Sequence, residues 1–199
     1  NITATNEENG LSYTGRVEFY PLGSFTSKGD YFSADLKREN RPKLAIGITS
    51  CVNNNTNRSG GQLGKFVELE DSLGNLTSQY NDITTLFIDA IYKYNGLSIM
   101  GEYANKNLSK DIDGFTSGTG YVGQLGYLFD NNYEIAARYT SVDLARGLGD
   151  KLNTTEYTLG LSKYIVGHKL KVQSDISYIT KENVADSNYR VRFQVEFGI

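Results

Sequence analysis

Over its last eleven residues the chain alternates without a break. Tyr189, Val191, Phe193, Val195, Phe197 and Ile199 fall on one side of an extended backbone, and Arg190, Arg192, Gln194 and Glu196 on the other. Successive side chains of a strand point to opposite faces, so this pattern predicts a strand with one apolar and one charged face. Eight earlier stretches repeat the design. The expected strands cover 11–21, 43–52, 82–94, 97–107, 118–129, 133–144, 154–165, 169–180 and 188–199, each near the roughly 9–11 residues of a tilted membrane-crossing strand.

The connections alternate in length. Asn95-Gly96, Asp130-Asn131-Asn132 and Val166-Gly167-His168 read as tight hairpin turns, the first a strong type I′ signal. The links between them, 53–81, 108–117, 145–153 and 181–187, are longer and rich in Asn, Ser, Asp and Gly. Short periplasmic turns opposite longer extracellular loops are the arrangement of an outer-membrane barrel. The link from Pro21 to Pro42 departs from it, with about twenty residues on the side where turns are short. Within it, Ser33-Ala-Asp-Leu-Lys-Arg-Glu39 fits a brief helix capped by Ser33, and Tyr31–Leu36 fits a short strand. The whole link, 21–42, is expected to be an ordered periplasmic excursion.

Read in this register, the apolar face gathers aromatics at both strand ends. Phe19, Tyr92, Tyr94, Tyr127, Phe129, Tyr133 and Phe197 lie toward the tight turns, and Tyr13, Tyr103, Tyr121, Tyr139, Tyr157, Tyr178 and Tyr189 toward the long loops. Aliphatic residues such as Val17, Ile46, Ile88, Leu125, Leu159 and Val191 fill the band between. Lys163 alone intrudes, near a strand end from which it can snorkel. A soluble sandwich or lipocalin-like barrel also alternates, but it turns its apolar face inward. Aromatics sorted to both rims, hairpins of alternating length and bulky Arg190 and Arg192 on the opposite face point instead to lipid outside and a watery interior. The expected fold is all-β, a transmembrane antiparallel up-and-down β-barrel.

Composition changes this picture little. A hydrophobic content of 39% and mean hydropathy of -0.42 would suit a soluble protein, but a barrel strand exposes every second residue to water and keeps the average low. No run approaches the roughly 20 apolar residues of a membrane helix. Twenty basic and twenty-three acidic residues leave a net charge of -3, with no basic face suited to nucleic acid. Trp is absent, so Tyr, present 15 times, would have to supply the interfacial belts alone. Cys51, the single cysteine, is expected to be an unreactive residue inside a strand. The start, Asn1-Ile-Thr-Ala-Thr5, has neither the basic nor the apolar region of a signal peptide, which suggests a processed form or a piece of a longer protein.

Five segments taken in order, Gly15-Arg-Val-Glu-Phe-Tyr-Pro-Leu-Gly23, Arg41-Pro-Lys-Leu-Ala-Ile-Gly47, Gly101-Glu-Tyr103, Thr155-Glu-Tyr-Thr-Leu-Gly-Leu161 and Arg192-Phe-Gln-Val-Glu-Phe197, resemble the phosphate-selective porin O and P family of Gram-negative outer membranes. The similarity covers most of 11–199 and looks like the family's C-terminal half. It implies a porin barrel of about sixteen strands, an even number as in other bacterial single chains, of which about seven precede this sequence. It also implies homotrimers. The closing Phe197-Gly198-Ile199 departs from the usual barrel ending, and the family's basic constriction lies largely in the half without a counterpart here.

The inward face carries Arg16, Lys43, Lys93, Lys106, Arg138, Lys171, Arg190 and Arg192 against Glu18, Asp89, Glu102, Glu134, Glu156, Asp175 and Glu196. Rings of one sign make selectivity, whereas interleaved signs make cross-strand pairs that stiffen a wall. The candidate pore-lining residues are Arg16, Glu18, Asp89, Glu102, Arg138, Asp175, Arg190 and Arg192. In the 53–81 loop, Leu63, Phe66, Val67 and Leu69 would anchor either a fold into the mouth or a cap over the rim. No catalytic, cofactor or metal site is expected. His168 is the only histidine, placed in a turn, and one His with one Cys supplies too few ligands for zinc. Asp111, Asp113, Glu68, Glu70 and Asp71 lack calcium-loop spacing. The expected role is a porin for passive diffusion of small hydrophilic solutes, with anions such as phosphate implied by the resemblance and outer-membrane lipid as the surroundings. The alternative is a plugged barrel serving as a structural subunit of a larger outer-membrane complex.

Overall fold

In a computed structural model, which describes residues 10–62, 64–145, 153–167, 169–182 and 187–198, the chain is all-β. Its strands are β1 (Ser12–Phe19), β2 (Lys43–Thr56), β3 (Ser59–Gln62), β4 (Glu68–Glu70), β5 (Leu76–Ser78), β6 (Asn81–Tyr94), β7 (Leu97–Leu108), β8 (Gly118–Leu128), β9 (Tyr133–Leu144), β10 (Thr154–Val166), β11 (Leu170–Lys181) and β12 (Asn188–Phe197). Nine of them form one antiparallel sheet in the order β1-β2-β6-β7-β8-β9-β10-β11-β12, while β4 and β5 pair separately. Each long strand lies within a few residues of its expected position. The main difference is β2, which runs on to Thr56 through a register shift between Asn53 and Thr56.

Turn chemistry sets the register. Asn95 and Gly96 both have positive φ, 48° and 84°, as a type I′ turn requires. Only glycine fits at position 96, because a Cβ there would lie 2.5 Å from the Leu128 carbonyl oxygen. At the next tight turn Asn132 takes φ 61°, its N–H donating to Phe129 O at 2.9 Å. Gly167 takes φ 52°, and Lys169 N donates to Val166 O at 2.9 Å. His168 lies outside the described residues, as do 146–152 and 183–186 in two of the long loops.

Burial is inverted relative to a protein that folds around an oily centre. Among the described residues the buried set holds seven hydrophobic side chains against eleven polar or charged ones, with Lys93, Gln124, Glu134 and Ser177 on the polar face of the sheet. Phe193 is 72% exposed and Leu159 55%, and their whole face is open. Six of these seven apolar residues form two small clusters at opposite ends of the polar face. Val67, Ile83 and Phe115 meet at the long-loop end, and Ala34, Leu128 and Tyr164 at the tight-turn end.

The second cluster comes from the 21–42 link, which folds back over the polar face as a strap. Its helical stretch, Thr26–Tyr31, comes earlier than expected and is kinked by Ser27 and Lys28 at φ 53° and 57°, and 33–39 forms neither a helix nor a strand. Local propensity loses there to contacts with the wall. Asp35, buried, accepts from the N–H groups of Gly96 (2.9 Å) and Glu39 (3.0 Å), fixing the strap to the β6–β7 turn instead of to its own helix. Ala34 and Leu36 pack on Leu128 and Tyr164.

Candidate functional site

On the exposed face, pairing aligns the aromatics into rows. Tyr139 lies opposite Tyr157, Tyr157 opposite Tyr178, and Tyr178 opposite Tyr189, so one tyrosine row crosses four strands. Ring centroids are 5.3 Å apart for Tyr139 and Tyr157 and 5.2 Å for Tyr178 and Tyr189, within the range where rings attract. Tyr103 and Tyr121 extend the loop-end set on β7 and β8 at 5.1 Å. At the turn end Tyr127 and Phe129 meet edge to face at 5.0 Å. Lys163 lies over the Tyr133 ring, its ammonium 4.1 Å from the ring centre and donating to Asn131 O in the turn.

The polar face is a lattice of ion pairs. Arg16 donates from Nη1 and Nη2 to the two Asp89 oxygens (2.6 and 2.9 Å) and from Nε to Glu18 (2.8 Å). It reaches Asp89 on β6 by passing over β2, where Gly47 leaves the space; a Cβ there would lie 2.6 Å from Asp89 Oδ2. Arg190 likewise reaches over β11 to Glu156, across buried Ser177. Arg192 and Asp175 face each other directly and bond at 2.9 and 3.1 Å, and Lys171 pairs with Glu196 at 3.0 Å. Half-exposed pairs of this kind contribute about 0–1 kcal/mol each, so their main effect is to hold long side chains against the wall.

Six of the eight candidate wall residues are thus brought into pairs: Arg16, Glu18, Asp89, Asp175, Arg190 and Arg192. Glu102 lies opposite Asp89 and joins no salt bridge among the described residues. Arg138 binds the neutral Gln124 oxygen instead, through Nε at 2.8 Å and Nη2 at 2.6 Å. Cys51 is half-buried on the same face and accepts hydrogen bonds from Thr14 and Asn53. In the 57–80 loop Val67 packs on Ile83 and Phe115, Phe66 stays exposed against the Arg58 guanidinium at 3.9 Å, and Leu63 lies outside the described residues. Lys106 donates from the polar face to Ser59 O, so part of this loop leans over the rim.

The strap brings its own carbonyls and acids to Lys93 and the turns, contacts that alternation does not reveal. Lys93, 1% exposed, donates to three of its carbonyls: Gly29 (2.7 Å), Phe32 (2.6 Å) and Ala34 (2.6 Å). Glu39, buried, accepts from Thr26 N at 2.6 Å and Thr26 Oγ1 at 3.0 Å. Arg38 donates to Phe129 O at 2.7 Å. Tyr20 bridges Glu18 (2.9 Å) and Asp30 (3.0 Å), and its phenol proton is held above the usual range by the Glu18 hydrogen bond first, then by desolvation and by Asp30. The strap's acids therefore face inward, while Lys28, Lys37 and Arg41 remain exposed and join no salt bridge among the described residues. Comparison with family models, curated proteins and solved structures yields no match to this chain.

Proposed function

We propose that this sheet is part of the wall of an outer-membrane β-barrel in a Gram-negative bacterium, a porin through which small hydrophilic solutes diffuse passively. One observation carries the reading: the face lined with aliphatic residues between two aromatic rows is open, and the opposite face carries the ion pairs and the buried polar side chains, with the strap lying across it. In water that arrangement forfeits the hydrophobic effect, and in a bilayer it satisfies it. The strap's exposed Lys28, Lys37 and Arg41 favour anions among the solutes. The motifs quoted above support kinship with the phosphate-selective porins, and with it a homotrimer. No reaction is catalysed in this reading.

Strand direction adds a requirement. With nine strands alternating in direction, β1 and β12 run the same way, so antiparallel closure takes an odd number of further strands between them. Seven, the number implied by the resemblance, meets it. The second reading, a plugged barrel acting as an accessory subunit, is favoured by the strap lying across the polar face. Planar-bilayer recording on the full-length protein separates the two. Discrete conductance steps are expected for the porin, and a silent protein that co-purifies with one stable partner would overturn that reading in favour of the plug.

A further inference from the structure

The strap bears on what passes, and the step taken here rests on the channel reading above. Phe25–Glu39 touches the wall at β6 through Lys93, at β8 through Leu128 and at β10 through Tyr164, all on the polar face. From β6 to β10 are four strand spacings, about 19 Å at about 4.8 Å each. On the strap's β9–β12 side, Ser33 shares a cavity of about 100 Å³ with Glu134, Arg138, Lys171, Gln173 and Arg192. In the channel reading the polar face borders the aqueous lumen, so the strap occupies part of the cross-section a solute must pass.

We propose that the strap is the solute-size filter of the channel and that Lys93 is the residue that positions it. Its ammonium gathers three carbonyls spread over six residues of strap, from Gly29 to Ala34, and it joins no salt bridge among the described residues. An ammonium among them offsets the mutual repulsion of three carbonyl oxygens that converge on one point. Asp35 and Arg38 secure the strap to the two neighbouring turns, but neither sets the fold of 29–34. Lys93 therefore acts through the strap and does not itself need to meet the solute.

The test is swelling of liposomes carrying the full-length protein in sugars of increasing mass, read as the ratio of trisaccharide to monosaccharide permeation. Lys93→Met is expected to raise this ratio at least fivefold, Lys93→Arg to hold it near the wild-type value, and replacement of 25–39 by a glycine-serine chain of equal length to raise it at least as far as Lys93→Met. A merely structural lysine would change the amount of folded protein and leave the ratio alone. Should Lys93→Met fail to fold, the glycine-serine replacement decides. A permeable wild type whose ratio neither variant moves overturns the filter and leaves the porin reading standing. Liposomes impermeable with wild type and variants alike overturn both, and an impermeable wild type opened by either variant supports the strap as the barrier.

Discussion

Replacing Leu159 by arginine separates a lipid-facing wall from a water-facing one. Leu159 lies on the open face of β10, opposite Ala137 and Ile176, two residues from Tyr157 in the loop-end row and four from Lys163 at the turn end. At about 3.3 Å per residue it is about 7 Å along the strand from one rim of the band and about 13 Å from the other. An arginine inside that band is expected to destabilise the protein by about 2–3 kcal/mol, below the maximum of about 4 at the bilayer midplane. In water the same change at a side chain already 55% exposed would stay within about 0.5 kcal/mol. The control is Gln173→Arg, on the polar face of β11 opposite Ser162 and Gln194, with an expected change near zero. Guanidinium titration of the full-length protein in phospholipid vesicles, followed by band-shift electrophoresis because the described chain has no Trp, measures both. A difference of 2 kcal/mol is about thirtyfold in the folding constant. Equal, small effects of the two substitutions would refute the orientation.

Three further outcomes follow from local geometry. Gly47→Val is expected to push Asp89 from Arg16 and lose about 1 kcal/mol, whereas Gly15→Val, facing open space on β1, leaves stability unchanged in the same titration; equal losses would mean the Arg16 bridge contributes nothing. Gly96→Ala forces a Cβ into a left-handed backbone at about 1–2 kcal/mol and against Leu128 O, so thermal unfolding should occur well below that of an Asn95→Asp variant, which keeps the turn type. The Asp71 carboxylate accepts from the N–H groups of Asn75 and Leu73 (2.9 and 2.8 Å), which hold its pKa below the ordinary carboxyl value. With the folded value depressed, the turn's stabilisation is complete above the ordinary value and is lost as pH falls through the folded one; the amide shifts of Leu73 and Asn75 should move together in that window, and pH-invariant shifts would refute it.

The wall was legible in the sequence because strand parity assigns each residue to a face without knowledge of any distant partner. Tyr157 and Leu159 could be placed together from their spacing alone, and Asn95-Gly96 fixed its own turn. The partners on the polar face were less legible. Arg192 with Asp175 follows from simple register, but Arg16 with Asp89 depends on a glycine in the strand between them, and Arg138 finds an amide although acids stand elsewhere on the wall. The strap was legible as an exception in loop length and in nothing else. Its conformation is set by groups 60 or so residues away in sequence, Lys93 and Gly96 among them, against which the weak helix signal of 33–39 counts for little.

That clamp is polar for a physical reason tied to where it sits. An apolar strap would need a dry surface to bind, and among the described residues the buried apolar side chains that meet Ala34 and Leu36 are Leu128 and Tyr164. A loop held against a wet, charged wall must instead satisfy its own carbonyls and N–H groups, since each one buried without a partner costs about 1–3 kcal/mol. Lys93 satisfies three carbonyls at once, Asp35 two N–H groups and Glu39 another, so three side chains replace the hydrogen bonds that a helix or strand would have provided. Such a clamp concentrates the strap's stability in few atoms. Loss of the Lys93 charge strands three carbonyls together, whereas loss of a methyl from Leu36 removes only a fraction of one contact, which makes the strap's position sensitive to one wall residue while the sheet beneath it, tied by full backbone ladders, stays in place.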